Sequence, residues 1–295
     1  MPSPRSLDPW TLRARAFWQE RQKRAIPGAL TGYLLDESPS GIGERRFRGE
    51  WAQVQPWLAA AGRGRCLDVG CGTGVWLRAL AGRFDQVEGW DYAPAMVAAS
   101  RRTLKEAGLR NATLFCGQIT RRKGAAVFDV IFVGGVLMYT PEPALGPLLK
   151  SLARLLKPGG LLLLRESTTA GPTWRREGLA LRPGLLASAA ADLDYVAVYR
   201  SQAVLRAALA KAGLSVRRIE ANSHYKFSDL TEDWLRRWEA LTGGGLGGDP
   251  ARAERLAAWI YHLRVFLFYP EYFVRHTFGL WPWKLQNDWF LCARS

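Results

Sequence analysis

The chain has 295 residues, 48% of them hydrophobic, which is enough to bury the core of one domain with insertions or a small cap. Its formal charge of +15, carried mainly by arginine, raises nucleic acid, a phosphorylated substrate or a membrane surface as partners. The basic residues fall in short runs such as Arg45-Arg46, Arg121-Arg122-Lys123, Arg175-Arg176 and Arg236-Arg237, with no nucleic-acid motif beside them, so no specific nucleic-acid partner is expected.

No run of 18 apolar residues is present, and Met1-Pro2-Ser3-Pro4-Arg5 lacks the apolar core of a signal peptide. Cys66, Cys71, Cys116 and Cys292 make no C-x-x-C pair, and His224, His262 and His276 are widely spaced. These features predict a cytoplasmic protein with reduced cysteines and no metal site.

In chain order, Asp8 and Pro9 open a helix over 8–25 that carries Trp10, Leu12, Phe17 and Trp18 and stops at Ile26-Pro27-Gly28. A second helix is predicted over 44–61, with Phe47, Trp51, Val54, Trp57 and Leu58 on one face. Together they make an N-terminal helical segment, 1–62, packed over the carboxyl edge of the α/β core. Cys66-Leu67-Asp68-Val69 then reads as a buried strand, Gly70, Gly72 and Gly74 as a turn, and Val75, Trp76, Leu77 and Leu80 as the start of a helix. Glycine serves where φ is positive or a ligand must approach closer than a Cβ allows. The dinucleotide fingerprint is not met, because its third glycine would fall on Val75, and Asp68 would repel a pyrophosphate. A carboxylate there suits a ligand with a positive end.

Strands 87–91, 112–116, 128–133 and 161–165 come next, separated by helices near 94–106 and 143–156. Lys157-Pro158-Gly159-Gly160 ends the second of these helices. The pattern lapses after Glu166 until about Arg200, and then a helix over 201–212 and a strand over 214–220 return. Strands alternating with helices imply a parallel sheet with right-handed crossovers. Asp91 ends the second strand about twenty residues beyond the glycine turn, where an acid can accept both ribose hydroxyls of a nucleoside.

The turn CLDVGCGTG, the strand end GWD, the strand FDVIFV and the joint LKPGGLLLLRE resemble, in order and spacing, the motifs of class I S-adenosylmethionine (SAM)-dependent methyltransferases. The resemblance covers about 64–166 and extends to Leu214. It implies an α/β, Rossmann-like fold: a seven-stranded, mostly parallel sheet with helices on both faces, closed by a last strand within 285–295. It also implies SAM as cofactor and S-adenosylhomocysteine as product. On this reading 63–224 is the SAM-binding core, with Asp68, Gly70, Cys71, Gly72, Gly74, Asp91, Tyr92, Met96, Gly117, Gln118, Ile119, Gly134 and Gly135 at the cofactor. Gln118 stands where many of these enzymes have Asp.

A further resemblance, to protein N-terminal α-amine methyltransferases, rests on Phe17-Trp18, Pro27-Gly28, Gly32-Tyr33-Leu34, Phe115-Cys116-Gly117-Gln118 and Tyr199-Arg200-Ser201. Its substrate-side residues do not carry over: its histidine falls on Tyr139, its asparagine on Ser167, and its aspartate one position from Asp194. By position, in the loop that leaves the fifth strand at the carboxyl edge, the candidate bases are Asp194 and Glu166 ahead of Tyr139, with Tyr195, Tyr199, Arg200, His224 and Tyr225 at the substrate.

The predicted activity is methyl transfer to an O or N nucleophile of a small molecule, glycan or peptide. A peptide α-N-methyltransferase is the alternative, and an inactive SAM-binding partner or membrane-docking module is the alternative of another class. Residues 225–284 interrupt the α/β rhythm with a helix near 230–241, a glycine-rich hinge at 243–248 and a helix opened by Asp249-Pro250. Their aromatics, among them Trp234, Trp238, Trp259, Phe266 and Trp283, predict a cap over the acceptor pocket, with a homodimer contact or a membrane surface as the other readings.

Overall fold

The computed structural model describes residues 8–23, 42–169, 172–177, 195–222 and 286–294, together with scattered residues between 224 and 270. Nine strands are described: β1 (Arg65–Val69), β2 (Gln86–Asp91), β3 (Ala112–Cys116), β4 (Phe128–Gly134), β5 (Leu156–Thr169), β6 (Trp174–Glu177), β7 (Val196–Ser201), β8 (Leu214–Ala221) and β9 (Gln286–Arg294). The main path runs β3-β2-β1-β4-β5-β9-β8, parallel throughout except that β9 is antiparallel to both of its neighbours.

Helices cover both faces. On one lie α5 (Glu142–Leu155) and α6 (Gln202–Lys211), whose leucines pack with Ile131, Val133, Leu162 and Leu164. On the other lie α2 (Ile42–Ala60) and α3 (Val75–Arg83), where Val54, Leu58, Trp76 and Leu80 pack with Cys66, Val130, Phe132 and Trp289. α4 (Pro94–Glu106) adds Leu104 to this second layer. α1 (Pro9–Lys23) joins neither cluster and packs against α4 and β7. Its Phe17 joins a small cluster with Met138, Tyr195, Ala197 and Tyr199.

The sheet differs from the expected seven strands at one place. β5 does not stop at Arg165 but runs on to Thr169, where it pairs with β7 through Thr168↔Arg200 and Thr169↔Ser201, and β7 in turn pairs antiparallel with β6. The sheet therefore forks, with β9 and β7 leaving successive parts of β5. Residues 196–200 are buried on both faces, so they show no alternation of apolar and polar positions, and that is why the stretch looks patternless. Ser201 caps α6, its Oγ accepting from Val204 N at 3.3 Å. The expected helix near 230–241, the glycine hinge and the opening at Asp249-Pro250 lie largely outside the described residues, which are helical at Arg237, Leu241 and 258–263. No described helix is long and apolar enough to cross a membrane.

Candidate active site

The glycine turn leaves β1 at the carboxyl edge of the sheet. Gly70 (φ +71°) lets the chain reverse so closely that a Cβ there would stand 2.3 Å from Val136 Cγ2. Gly74 (φ +87°) starts α3 against Ser100, where an added Cβ would meet Cα at 3.0 Å. Asp91 braces this turn. Its Oδ2 accepts from Gly72 N at 3.0 Å and its Oδ1 from Ala93 N at 2.8 Å. Burial pushes its carboxyl up to about 6, against these amide donors, which favour the charged form. Asp68 lies 1% exposed below the turn, and its Oδ2 has no hydrogen-bond partner. Burial, then the charge of Asp91, pushes Asp68 up to about 8 while Arg165 opposes the rise. Asp91 keeps free lone pairs at the turn, and the backbone carries no Cβ at Gly70 and Gly72, which suits a nucleoside with an amino-acid arm. The residues present thus fit SAM.

A cleft of about 710 Å³ opens along this edge. Trp90, Asp91, Tyr92, Met96, Gly117, Gln118 and Ile119 line the part at the ends of β2 and β3. Gly70, Gly72, Gly134 and Gly135 line the part over β1 and β4. Beyond them Trp18, Met138, Tyr139, Ser167 and Asn287 form a further wall. Of the sequence-predicted cofactor residues, Asp68, Cys71 and Gly74 support the turn from behind and do not line the cleft. Cys71 is buried and its thiol is pushed up by that burial.

The candidate acceptor-side residues divide. Tyr139 lines the cleft, edge-on to Trp18 at 5.6 Å between ring centroids, and its carbonyl accepts from Trp10 Nε1 at 3.2 Å. Glu166 lies behind the cleft wall. Its carboxylate accepts from the amides of Val136 and Leu137 at 2.8 Å and of Met138 at 3.3 Å, with burial raising it to about 7. Tyr195 and Tyr199 share a 2.8 Å hydroxyl–hydroxyl bond in the α1 cluster. Arg200, 1% exposed, donates to Leu137 O, Thr140 O and Glu142 Oε1, each at 2.7 Å. None of Glu166, Tyr195, Tyr199 and Arg200 lines the cleft, because partners within the fold already engage their polar atoms. His224 pairs with Tyr261 Oη at 2.6 Å beside Gly49, also away from the cleft. Asp194 and Tyr225 lie outside the described residues.

Sequence reading missed a buried polar network beside the acceptor wall. Glu50, fully buried, accepts from Arg46 Nε (2.9 Å), Arg165 Nη1 (2.6 Å) and Asn222 Nδ2 (2.7 Å). Asn222 also donates to Asn287 Oδ1 (2.9 Å), and Asn287 donates to Ser167 Oγ (3.2 Å). A signal was present, since Glu50 falls between Phe47 and Val54 on the apolar stripe of α2, where a charge needs a partner.

Residues 66–160 match the methyltransferase domain family. With the strand order and the glycine turn, this match gives the core the Rossmann-like fold of class I SAM-dependent methyltransferases. Among curated relatives, the ubiquinone biosynthesis O-methyltransferase of Stutzerimonas stutzeri strain A1501 is 36% identical over 111 residues, 36% of this chain and 45% of that protein. The demethylmenaquinone methyltransferase of Bacillus velezensis is 31% identical over 108 residues, 35% of this chain and 46% of that protein. The chain thus spans about half the length of these relatives. Among solved structures, geranyl diphosphate C-methyltransferase from Streptomyces coelicolor A3(2) superimposes with a TM-score of 0.56 at 16% identity, covering 100% of both chains. Phosphoethanolamine N-methyltransferase 2 of Haemonchus contortus gives 0.51 at 16%, covering 83% of this chain and 52% of that one. A [4+2]-cyclase gives 0.50 at 19%, covering 82% and 80%. These likenesses show the fold.

Proposed function

We propose that this chain transfers a methyl group from SAM to an oxygen or nitrogen nucleophile of a small molecule. The observation that carries the reading is the extent of the cleft. It continues past the glycine-lined stretch over β1 and β4 to the wall of Trp18, Met138 and Tyr139, which leaves room for a second reactant. Aromatic side chains at that wall favour a flat acceptor, and the quinone-pathway O-methyltransferases among the relatives support an oxygen nucleophile. Peptide and glycan acceptors carry no comparable support.

SAM supplies the electrophilic methyl and its sulfonium leaving group. Asp91 holds the ribose hydroxyls with the lone pairs that Gly72 N and Ala93 N leave over. Gly134 and Gly135 give the methionine arm room. Trp18 and Tyr139 orient the acceptor and exclude water, so that placement supplies much of the rate. Glu166 acts as a positioning residue, fixing the turn that carries Met138 and Tyr139. A general base, where the acceptor needs one, comes from the segment after β5, with Asp194 the leading candidate, or from Tyr139.

The test has two parts. Asp91→Ala should lose at least tenfold in SAM affinity by calorimetry, since each hydrogen bond to a charged group contributes about 1.5–3 kcal/mol. Wild-type protein given methyl-labelled SAM should label a catechol or hydroquinol. Tight SAM binding with no label on catechols, hydroquinols, amines or peptides would overturn methyl transfer.

A further inference from the structure

We propose that the helical face of Trp259, Leu263, Phe266 and Leu267 docks on an anionic lipid surface. Residues 258–263 and 266–267 are helical, and steps of four, seven and eight residues from Trp259 put these side chains on one stripe. All four are exposed: Trp259 by 64%, Leu263 by 39%, Phe266 by 78% and Leu267 by 41%. The opposite side of the helix is fixed to the core. Tyr261 is 2% exposed, its hydroxyl lies 2.6 Å from His224 Nδ1, and the His224 ring sits against Gly49 of α2, where no Cβ would fit. The stripe is therefore held outward. None of the described residues of 224–270 lines the cleft, so the stripe serves no wall of the acceptor pocket.

Large apolar side chains scattered singly over a surface need no explanation, but a row of them on one helix marks a contact face. Charge selects what meets it. The chain carries +15, and among the described residues of 230–270 that are exposed, none is acidic. A positive protein is drawn to anionic headgroups over the length of the Debye layer, and no described acid on this face opposes the contact. A second copy of the chain fits less well on two counts. Two chains of the same high charge repel each other, and four side chains of one helix offer far less than the about 800 Å² per partner that a stable dimer buries. Tryptophan, an apolar ring with one N–H donor, suits the boundary between headgroups and acyl chains. No described helix is long and apolar enough to cross a bilayer, and this one lies along the interface.

Docking of this kind is independent of methyl transfer and is read by flotation of the full chain with unilamellar vesicles. Protein should rise with vesicles of phosphatidylcholine and phosphatidylglycerol in equal parts, and at least tenfold less should rise with phosphatidylcholine alone. Binding to the mixed vesicles should weaken as salt is added, because the approach is electrostatic. Trp259→Ser combined with Phe266→Ser should cut it at least tenfold at an unchanged melting temperature, since both side chains are exposed. Trp259→Tyr, which keeps an amphipathic ring at the boundary, should keep most of the binding. Val204→Ser, at an exposed apolar position on α6, should change it less than twofold. Should the double variant lack the wild-type melting transition, Phe266→Ser alone, at the most exposed position of the stripe, reads the same loss.

Any of four flotation results overturns the docking face: none for wild type, as much with phosphatidylcholine alone, binding that survives the serine variants, or a loss in Val204→Ser as large as theirs. A dimer in sedimentation equilibrium that the serine variants dissociate also overturns it, because a second copy then covers the stripe.

Discussion

At the residue scale, the two buried carboxylates under the glycine turn give the protein a dependence on pH. Asp68 holds its proton in the folded chain up to about 8, whereas an unfolded aspartate releases it near about 3.9. The fold therefore binds the extra proton between these values. The stabilisation this represents is complete below the unfolded value and is lost as pH rises through the folded one. Asp91, raised to about 6, adds to the same trend over a lower window. Asp68→Asn cannot ionise. Its melting temperature should match that of wild type near pH 4 and exceed it increasingly toward pH 8, measured by thermal denaturation without ligand. A difference that stayed constant with pH would mean that Asp68 is already ionised in the fold. Asp68 and Asp91 were legible in the sequence because backbone geometry fixes their places, one before three alternating glycines and the other at the end of the next strand. The Glu50–Arg165 pair was not, since its members meet across a separation of 115 residues and no local rule joins a helix charge to a strand charge so far away.

At the scale of elements, the segment between β4 and α5 is held from two sides. Glu166 accepts from its amides at Val136, Leu137 and Met138, and Arg200 donates to its carbonyls at Leu137 and Thr140. One clamp comes from β5 and the other from β7, so the fork in the sheet is what grips the turn beneath Tyr139. Glu166→Gln turns one acceptor into a donor facing an amide N–H, and such a buried mismatch should destabilise by about 1–3 kcal/mol in urea unfolding. Arg200→Gln should cost a similar amount, and the two should couple by about 0.5–3 kcal/mol in a double-mutant cycle because they restrain the same turn. Strict additivity would show that the turn is held by other contacts. The strands that alternate with helical segments were readable from the sequence. β7 was not, because it is buried on both faces and comes after a stretch without pattern, although the run Val196-Ala197-Val198-Tyr199 carried strand-forming residues.

At the scale of the whole molecule, the formal charge of +15 is spread among the helices, strands and turns rather than gathered into one motif. Several of its arginines are committed inside the fold: Arg122 to Glu88, Arg165 to Glu50 and Arg200 to Glu142. In a gel-shift titration at physiological salt, binding to duplex or single-stranded nucleic acid should be weak and indifferent to sequence, since tight and steeply salt-dependent binding requires several arginines on phosphates at once. That the sheet is mostly parallel was readable from the alternation of elements, but the fork was not, because it depends on how far β5 runs before it loses a partner.

The insertion of β9 between β5 and β8 has a consequence for biosynthesis. Thr168 is hydrogen-bonded to Asp288 across a separation of 120 residues. At about 5–20 residues per second, a ribosome takes ~6–24 s to deliver one after the other. Throughout that interval the nascent polypeptide presents an open edge of β5, joined by that of β8 once Ala221 has been added, a template for pairing with any neighbouring chain on the same polysome.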